Sequence, residues 1–196
     1  MRLLWIGAIE LLVGLVATLA FHDPLAAWQA TARYSARVSL TIFALIIVAD
    51  AYPSSRSARI LGDHGYALFA FNHLIHLGFL TTYVVRSEHY PPLTRLSGGA
   101  LGYLLIVAMP WLQGRAEGGL MTARSWRRWQ LGYQLYVGFI FVMTYVPRVF
   151  GDSSRFGGER PHFLILFVFV VALGIWRVAV ALLTARGILR RHDDPV

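Results

Sequence analysis

Six apolar blocks of near-bilayer length constrain this 196-residue chain more than any other feature, at residues 3–21, 36–52, 66–86, 97–113, 129–149 and 161–185. An α-helix rises 1.5 Å per residue, so about 20 apolar residues cross the hydrocarbon core of a bilayer. The connections are short, about 10–15 residues each, and leave no room for a separate soluble domain. The pattern predicts an all-α polytopic membrane protein, one bundle of six transmembrane helices filling residues 1–196. Composition agrees: 57% of residues are hydrophobic and 14% charged, against about a quarter charged in soluble domains. Charges are too few to cover a water-facing surface.

Block 3–21 reads as a retained first helix. It is longer than the apolar part of a signal peptide and is interrupted by Glu10. Asp23-Pro24 is an N-cap followed by proline at the first helical position. With Leu25, Trp28 and Thr31 at helical spacing, it predicts a short interfacial helix after helix 1, with Trp28 at head-group level. Gly98, Gly99 and Gly102 in the fourth block predict close helix–helix approach. Pro110 and Pro147 fall near helix ends, where a lost backbone bond costs little. The Gly- and Ser-rich stretch from Gly151 to Arg160 is expected to be the most mobile connection.

All 18 basic side chains are Arg, and the net charge is +8. The arginines flank apolar blocks, so they report membrane topology and not a nucleic-acid partner. Arg2, Arg56, Arg59, Arg115, Arg124, Arg127, Arg128, Arg186, Arg190 and Arg191 fall on one side. Arg33, Arg37, Arg86, Arg95, Arg148, Arg155 and Arg160 fall on the other. The excess places both termini in the cytoplasm. The chain has no cysteine, which excludes disulfides, thiolate catalysis and iron–sulfur ligation by its own residues.

Ionisable groups inside a span are costly and mark candidate sites. Glu10, His73, His76 and Arg177 are the strong cases, and Asn72 and Gln134 add neutral polar groups. Glu10 and Arg177 each lie about eight residues from the cytoplasmic end of their spans, roughly 12 Å deep. Equal depth and opposite charge predict an intramembrane ion pair tying helix 1 to helix 6. In the third span, Tyr66, Phe69, His73, His76, Leu80 and Tyr83 share one face, and the fifth offers Tyr133, Tyr136, Met143 and Thr144. Two histidines one turn apart cannot both be axial ligands of one haem. One can ligate iron while the other hydrogen-bonds a propionate or a quinone carbonyl; the pair can also relay protons or hold a metal edge-on. A zinc enzyme would need further ligands, and Glu10 is the only nearby carboxylate.

In order along the chain, Asp23-Pro24, Tyr34-Ser35-Ala36-Arg37, Ala58-Arg59-Ile60-Leu61-Gly62 with His73 beyond it, Pro91-Pro92-Leu93-Thr94 and Arg128-Trp129-Gln130 form a recognisable series. The chain thereby resembles the ferric-reductase-like transmembrane superfamily, within it the haem-binding membrane subunit paired with periplasmic methionine sulfoxide reductase. The resemblance implies a bacterial inner-membrane electron-transfer subunit. It would hold haem b or a quinone between helices 3 and 5 and work with a redox partner protein or a larger membrane complex. His73 would be the metal ligand, with His76 beside it and Tyr133 opposite. No flavin or nicotinamide domain accompanies the spans, so the chain would be a membrane subunit or a stand-alone haem protein.

The family carries two histidines on helix 5; here Tyr133 stands at the first position and Tyr145 or Val146 at the second. A bis-histidine haem between helices 3 and 5 is therefore impossible, leaving Tyr133 as a tyrosinate ligand or Met143 as a soft one. The alternative is a non-redox bundle that has lost haem, a small transporter or an assembly partner. In it Glu10, Arg177 and the histidines form a proton or substrate path, or structural glue. A membrane hydrolase or methyltransferase finds no nucleophile, metal or cofactor motif to support it.

Overall fold

The computed structural model describes residues 2–88, 90, 92–151, 158–186 and 188, with the side chains of 94–96 excepted. The loop 152–157, expected to be mobile, lies outside the described residues, as do Arg155, Arg190 and Arg191. The described residues are helical throughout, without strands. They form α1 (Arg2–Ala20), α2 (Pro24–Ala51), α3 (Arg56–Leu61, continued by a 3-10 turn over Gly62–His64), α4 (Gly65–Ser87), α5 (Leu93–Glu117), α6 (Ala123–Phe150) and α7 (Arg160–Ala185).

Four stretches are long and apolar enough to cross a membrane: α1, α2, α3 with α4, and α7. The helices α5 and α6 match them in length, with 25 and 28 residues. They carry more polar side chains, among them Gln113, Arg115, Arg127, Arg128, Gln130 and Gln134. On α1 the large apolar side chains Leu4, Trp5, Leu11, Leu12 and Leu19 point outward, and only Glu10 and Ala17 are buried. A helix with its hydrocarbon outside and its carboxylate inside is suited to a lipid surround.

The interfacial helix expected after helix 1 is instead the beginning of α2. The Asp23 carboxylate caps it, accepting from the Leu25 and Ala26 amides at 3.3 and 2.9 Å. No glycine or proline follows until Pro53, so the helix runs unbroken to Ala51. Its first turns bury Ala27, Ala30, Thr31, Ala32 and Ser35, small side chains that let neighbouring helices approach.

The α2 helix is the centre of the bundle, packing against α1, α3, α4, α6 and α7. The α5 helix bridges α4 to α6, and α7 lies along α6. Of the three glycines expected to allow close approach, Gly102 does so, a Cβ there meeting Tyr136 and Ile140 at 3.9 Å. Gly98 and Gly99 face open space on that side.

Candidate functional site

Fully buried Phe43 and Phe69 meet Tyr133 and Phe141 at the centre, with ring centroids 5.5 to 6.5 Å apart. The buried ridge of α6 is Tyr133, Val137, Phe141, Tyr145 and Val149, with Gln134 beside it. Those positions recur every four residues, so each lies about one turn beyond the last and the ridge winds slowly round the helix. Met143, expected on the interior face, is 50% exposed. Thr144 is exposed and bonds the Ile140 carbonyl of its own helix. On α4 the expected stripe is buried at Tyr66 and Phe69, half-buried at His73, His76 and Tyr83, and exposed at Leu80.

His73 stacks on Phe69 at 5.1 Å, and stands 5.2 Å from His76 and 5.1 Å from Tyr103. Across the seam it meets Phe141 at 6.2 Å. Among the described residues the Nδ1 atoms of both histidines and the Tyr133 hydroxyl are buried without a hydrogen-bond partner. Buried polar atoms of this kind call for an explanation, functional or structural. The three sequence candidates thus lie along one seam, with His73 and His76 adjacent and Tyr133 against Tyr66, Phe69 and Phe43.

A porphyrin between α4 and α6 would need a flat slot, and beside Tyr133 the rings of Phe43, Phe69 and Phe141 meet one another instead. The Tyr133 ring stands steeply inclined to those of Phe43, Tyr66 and Phe69. Among the described residues no group of three or more His, Asp or Glu side chains is placed to hold a metal ion.

The polar residues form a ladder along the seam of α2 with α4. At one end the Tyr66 hydroxyl donates to Asp50 Oδ2. Further along, Ser39 Oγ donates to Asn72 Oδ1 at 2.7 Å, and Asn72 Nδ2 donates to Glu10 Oε1 on α1. The second Glu10 oxygen and the Ser35 hydroxyl face each other without a hydrogen bond of good geometry. One turn beyond Asn72, His76 lies against the Ala32 carbonyl. At the far end Gln29 Nε2 donates to the Tyr83 hydroxyl at 3.0 Å. From Tyr66 to Tyr83 the ladder follows one helix for roughly 26 Å, most of a bilayer core. Glu10, Ser35, Ser39 and Asn72 at its centre are each no more than 1% exposed.

Glu10 and Arg177 are not brought together. The described bond of Glu10 is to Asn72, whereas Arg177 Nε donates to Gln134 Oε1 at 2.6 Å. Gln134 Nε2 in turn donates to Asp50 Oδ2 at 2.6 Å. The α1 helix packs on α2 and α4, and α7 packs on α6 and α2, so equal depth does not make the two residues neighbours.

Sequence reasoning passed over Asp50, the acceptor shared by Tyr66 and Gln134, and over Ser39. An acidic residue closing the apolar run Ile46-Ile47-Val48-Ala49-Asp50 was the available signal for the first. Serine, whose hydroxyl can bond its own helix, gave none for the second. Compared with protein-family models, with curated proteins and with solved structures, the chain matches none.

Proposed function

We propose that the chain is a six-span protein of the bacterial inner membrane, with both termini in the cytoplasm, whose α2–α4 seam carries protons from one end of the bundle to the other. The observation that supports this is the ladder itself, a file of groups with exchangeable protons enclosed by apolar helices over roughly 26 Å. Glu10 is the central station, because its carboxyl can hold or release a proton and its second oxygen is open toward Ser35. Asn72 holds the carboxyl in place through its amide. His76 and His73 continue the file, since an imidazole takes a proton at one nitrogen and gives one up at the other.

The test is proton flux in liposomes holding purified protein and an internal pH dye, driven by a potassium gradient with valinomycin. The expected result is flux above that of protein-free liposomes, falling severalfold in Glu10→Gln and in His76→Phe. Flux equal to that of empty liposomes removes the reading.

The second reading is the membrane electron-transfer subunit of ferric-reductase-like type, served by a redox partner protein. It is favoured by the adjacent imidazoles whose buried Nδ1 atoms lack partners. A quinone carbonyl would accept a hydrogen bond from either of those nitrogens. An absorption spectrum of the purified protein separates the readings. A Soret band that shifts on dithionite reduction and disappears in His73→Ala establishes haem and with it the redox function.

A further inference from the structure

At the Asp50 end of the bundle, α6 begins with a basic turn. Arg124, Arg127 and Arg128 are exposed there, beside the exposed ring of Trp129. At roughly 100° per residue these arginines fall within about 100° of arc, and Leu131, Leu135, Gly138 and Val142 continue along the same side of the helix. Leu135, Gly138 and Val142 form one wall of a cleft of about 230 Å³, and Val171 and Gly174 of α7 belong to the other. The cleft opens outward, since Leu135 and Phe139 on its α6 side are both exposed. Gln134 and Arg177 also line it, but they bond each other, and Gln134 bonds Asp50. The rest of the lining is apolar or glycine, so an occupant needs no polar group inside. An apolar cavity of about 150 Å³ holds benzene, and by proportion this one holds about nine carbons, part of an acyl chain.

Depth and charge fit a lipid that spans both features. The 28 residues of α6 measure about 42 Å, the thickness of a bilayer with its head groups, so the basic turn stands at phosphate level. From Arg128 to Val142 is about 21 Å along the helix, one leaflet deep. Arg177 meets Gln134, and Arg148 overlies Phe163. Both pairs belong to one antiparallel register, which brings exposed Arg186 level with Ser125 of α6. Among the described residues the acidic groups at this end are Asp50, Asp63 and Glu117. Asp50 accepts from Tyr66 and Gln134, Glu117 Oε1 accepts from Gln113 Nε2 at 2.8 Å, and Asp63 stands on the 3-10 turn after α3. None of them forms a described ion pair with Arg124, Arg127 or Arg128. The other basic groups here only add to the excess. Arg2 bonds the Leu61 carbonyl, Arg115 overlies Trp111 at 5.0 Å, and Arg56 and Arg59 lie on α3. Glu10 is in the interior, and Asp23, Glu88 and Glu159 lie at the opposite end. Guanidinium groups match phosphate oxygens, and clustered arginines beside a membrane span attract anionic lipid.

We infer that the basic turn and the α6–α7 cleft together bind one anionic phospholipid. Its phosphate lies on Arg124, Arg127 and Arg128, and one acyl chain runs past Leu131 into the cleft between Gly138 and Gly174. The inference rests on α6 crossing the membrane and is independent of the proton path.

The test is native mass spectrometry of the full chain, stripped of lipid in a neutral detergent. It is titrated with phosphatidylglycerol, with phosphatidylcholine of the same acyl chains, and with glycerol 3-phosphate. The expected result is saturable binding of one phosphatidylglycerol, with phosphatidylcholine weaker by about tenfold or more and glycerol 3-phosphate not retained. Arg127→Gln with Arg128→Gln should lower the phosphatidylglycerol affinity about tenfold or more and leave phosphatidylcholine unchanged. A Cβ on Gly174 meets nothing within 4 Å, so Gly174→Leu should fill the cleft without disturbing the helices and weaken both lipids. The three wild-type titrations decide by themselves if a variant does not fold. Equal affinity for the two lipids, glycerol 3-phosphate bound as tightly as phosphatidylglycerol, or phosphatidylglycerol affinity unchanged in both variants overturns the inference. Cysteine labelling at Glu88 and Arg124 tests the span separately, so a wrong topology and a missing site are told apart.

Discussion

Arg177 on α7 gives its Nε–H to Gln134 on α6 at 2.6 Å, and the amide passes the contact on to Asp50 of α2 at 2.6 Å. Gln134 is 2% exposed, and its two ends satisfy a cation and an anion at once. Gln134→Leu removes one hydrogen bond from each of the two charged groups. It should cost about 2–4 kcal/mol of stability, read as a lowered midpoint of denaturant unfolding in detergent. A loss below about 0.5 kcal/mol, the range of neutral surface changes, would show that the amide is not structural.

Glu10 and Arg177 belong to separate networks, so their substitutions should act independently. Glu10→Gln and Arg177→Met, made singly and together, should give stability losses that add within about 0.5 kcal/mol. A double variant much more stable than that sum would mean the two charges couple directly.

Gly62 has φ +56° and ψ −155°, a backbone region that side-chain-bearing residues avoid. A Cβ there would also strike the Arg2 guanidinium, which donates to the Leu61 carbonyl at 2.6 Å. Gly62→Ala should therefore destabilise by about 1–3 kcal/mol and loosen α1 from the α3–α4 corner. The check is faster proteolysis or hydrogen exchange of α1 together with the lowered midpoint.

With no native cysteine, single-cysteine labelling reads topology directly. Cysteines replacing Glu88, after α4, and Arg124, at the start of α6, should react with a membrane-impermeant maleimide from opposite faces of intact cells. Reaction from the same face contradicts six spans.

The long helices were legible in the sequence, because apolar run length and the Asp23 cap are local properties of the chain, but the start of α2 at Pro24 and the short α3 were not. The adjacency of His73 and His76 was legible for the same reason, being one turn of one helix. Depth along each span could also be counted, and by that measure Glu10 and Arg177 matched. Which residues meet across helices could not be counted. Lateral position depends on the order in which helices pack and on how each is rotated, and these follow from the fit of all apolar faces together. That packing gave Glu10 to Asn72 and Arg177 to Gln134, turned Met143 outward, and made Asp50 an acceptor for two helices. It also set Arg148 of α6 over the Phe163 ring of α7, because side chains on different helices share a place only once those helices have docked.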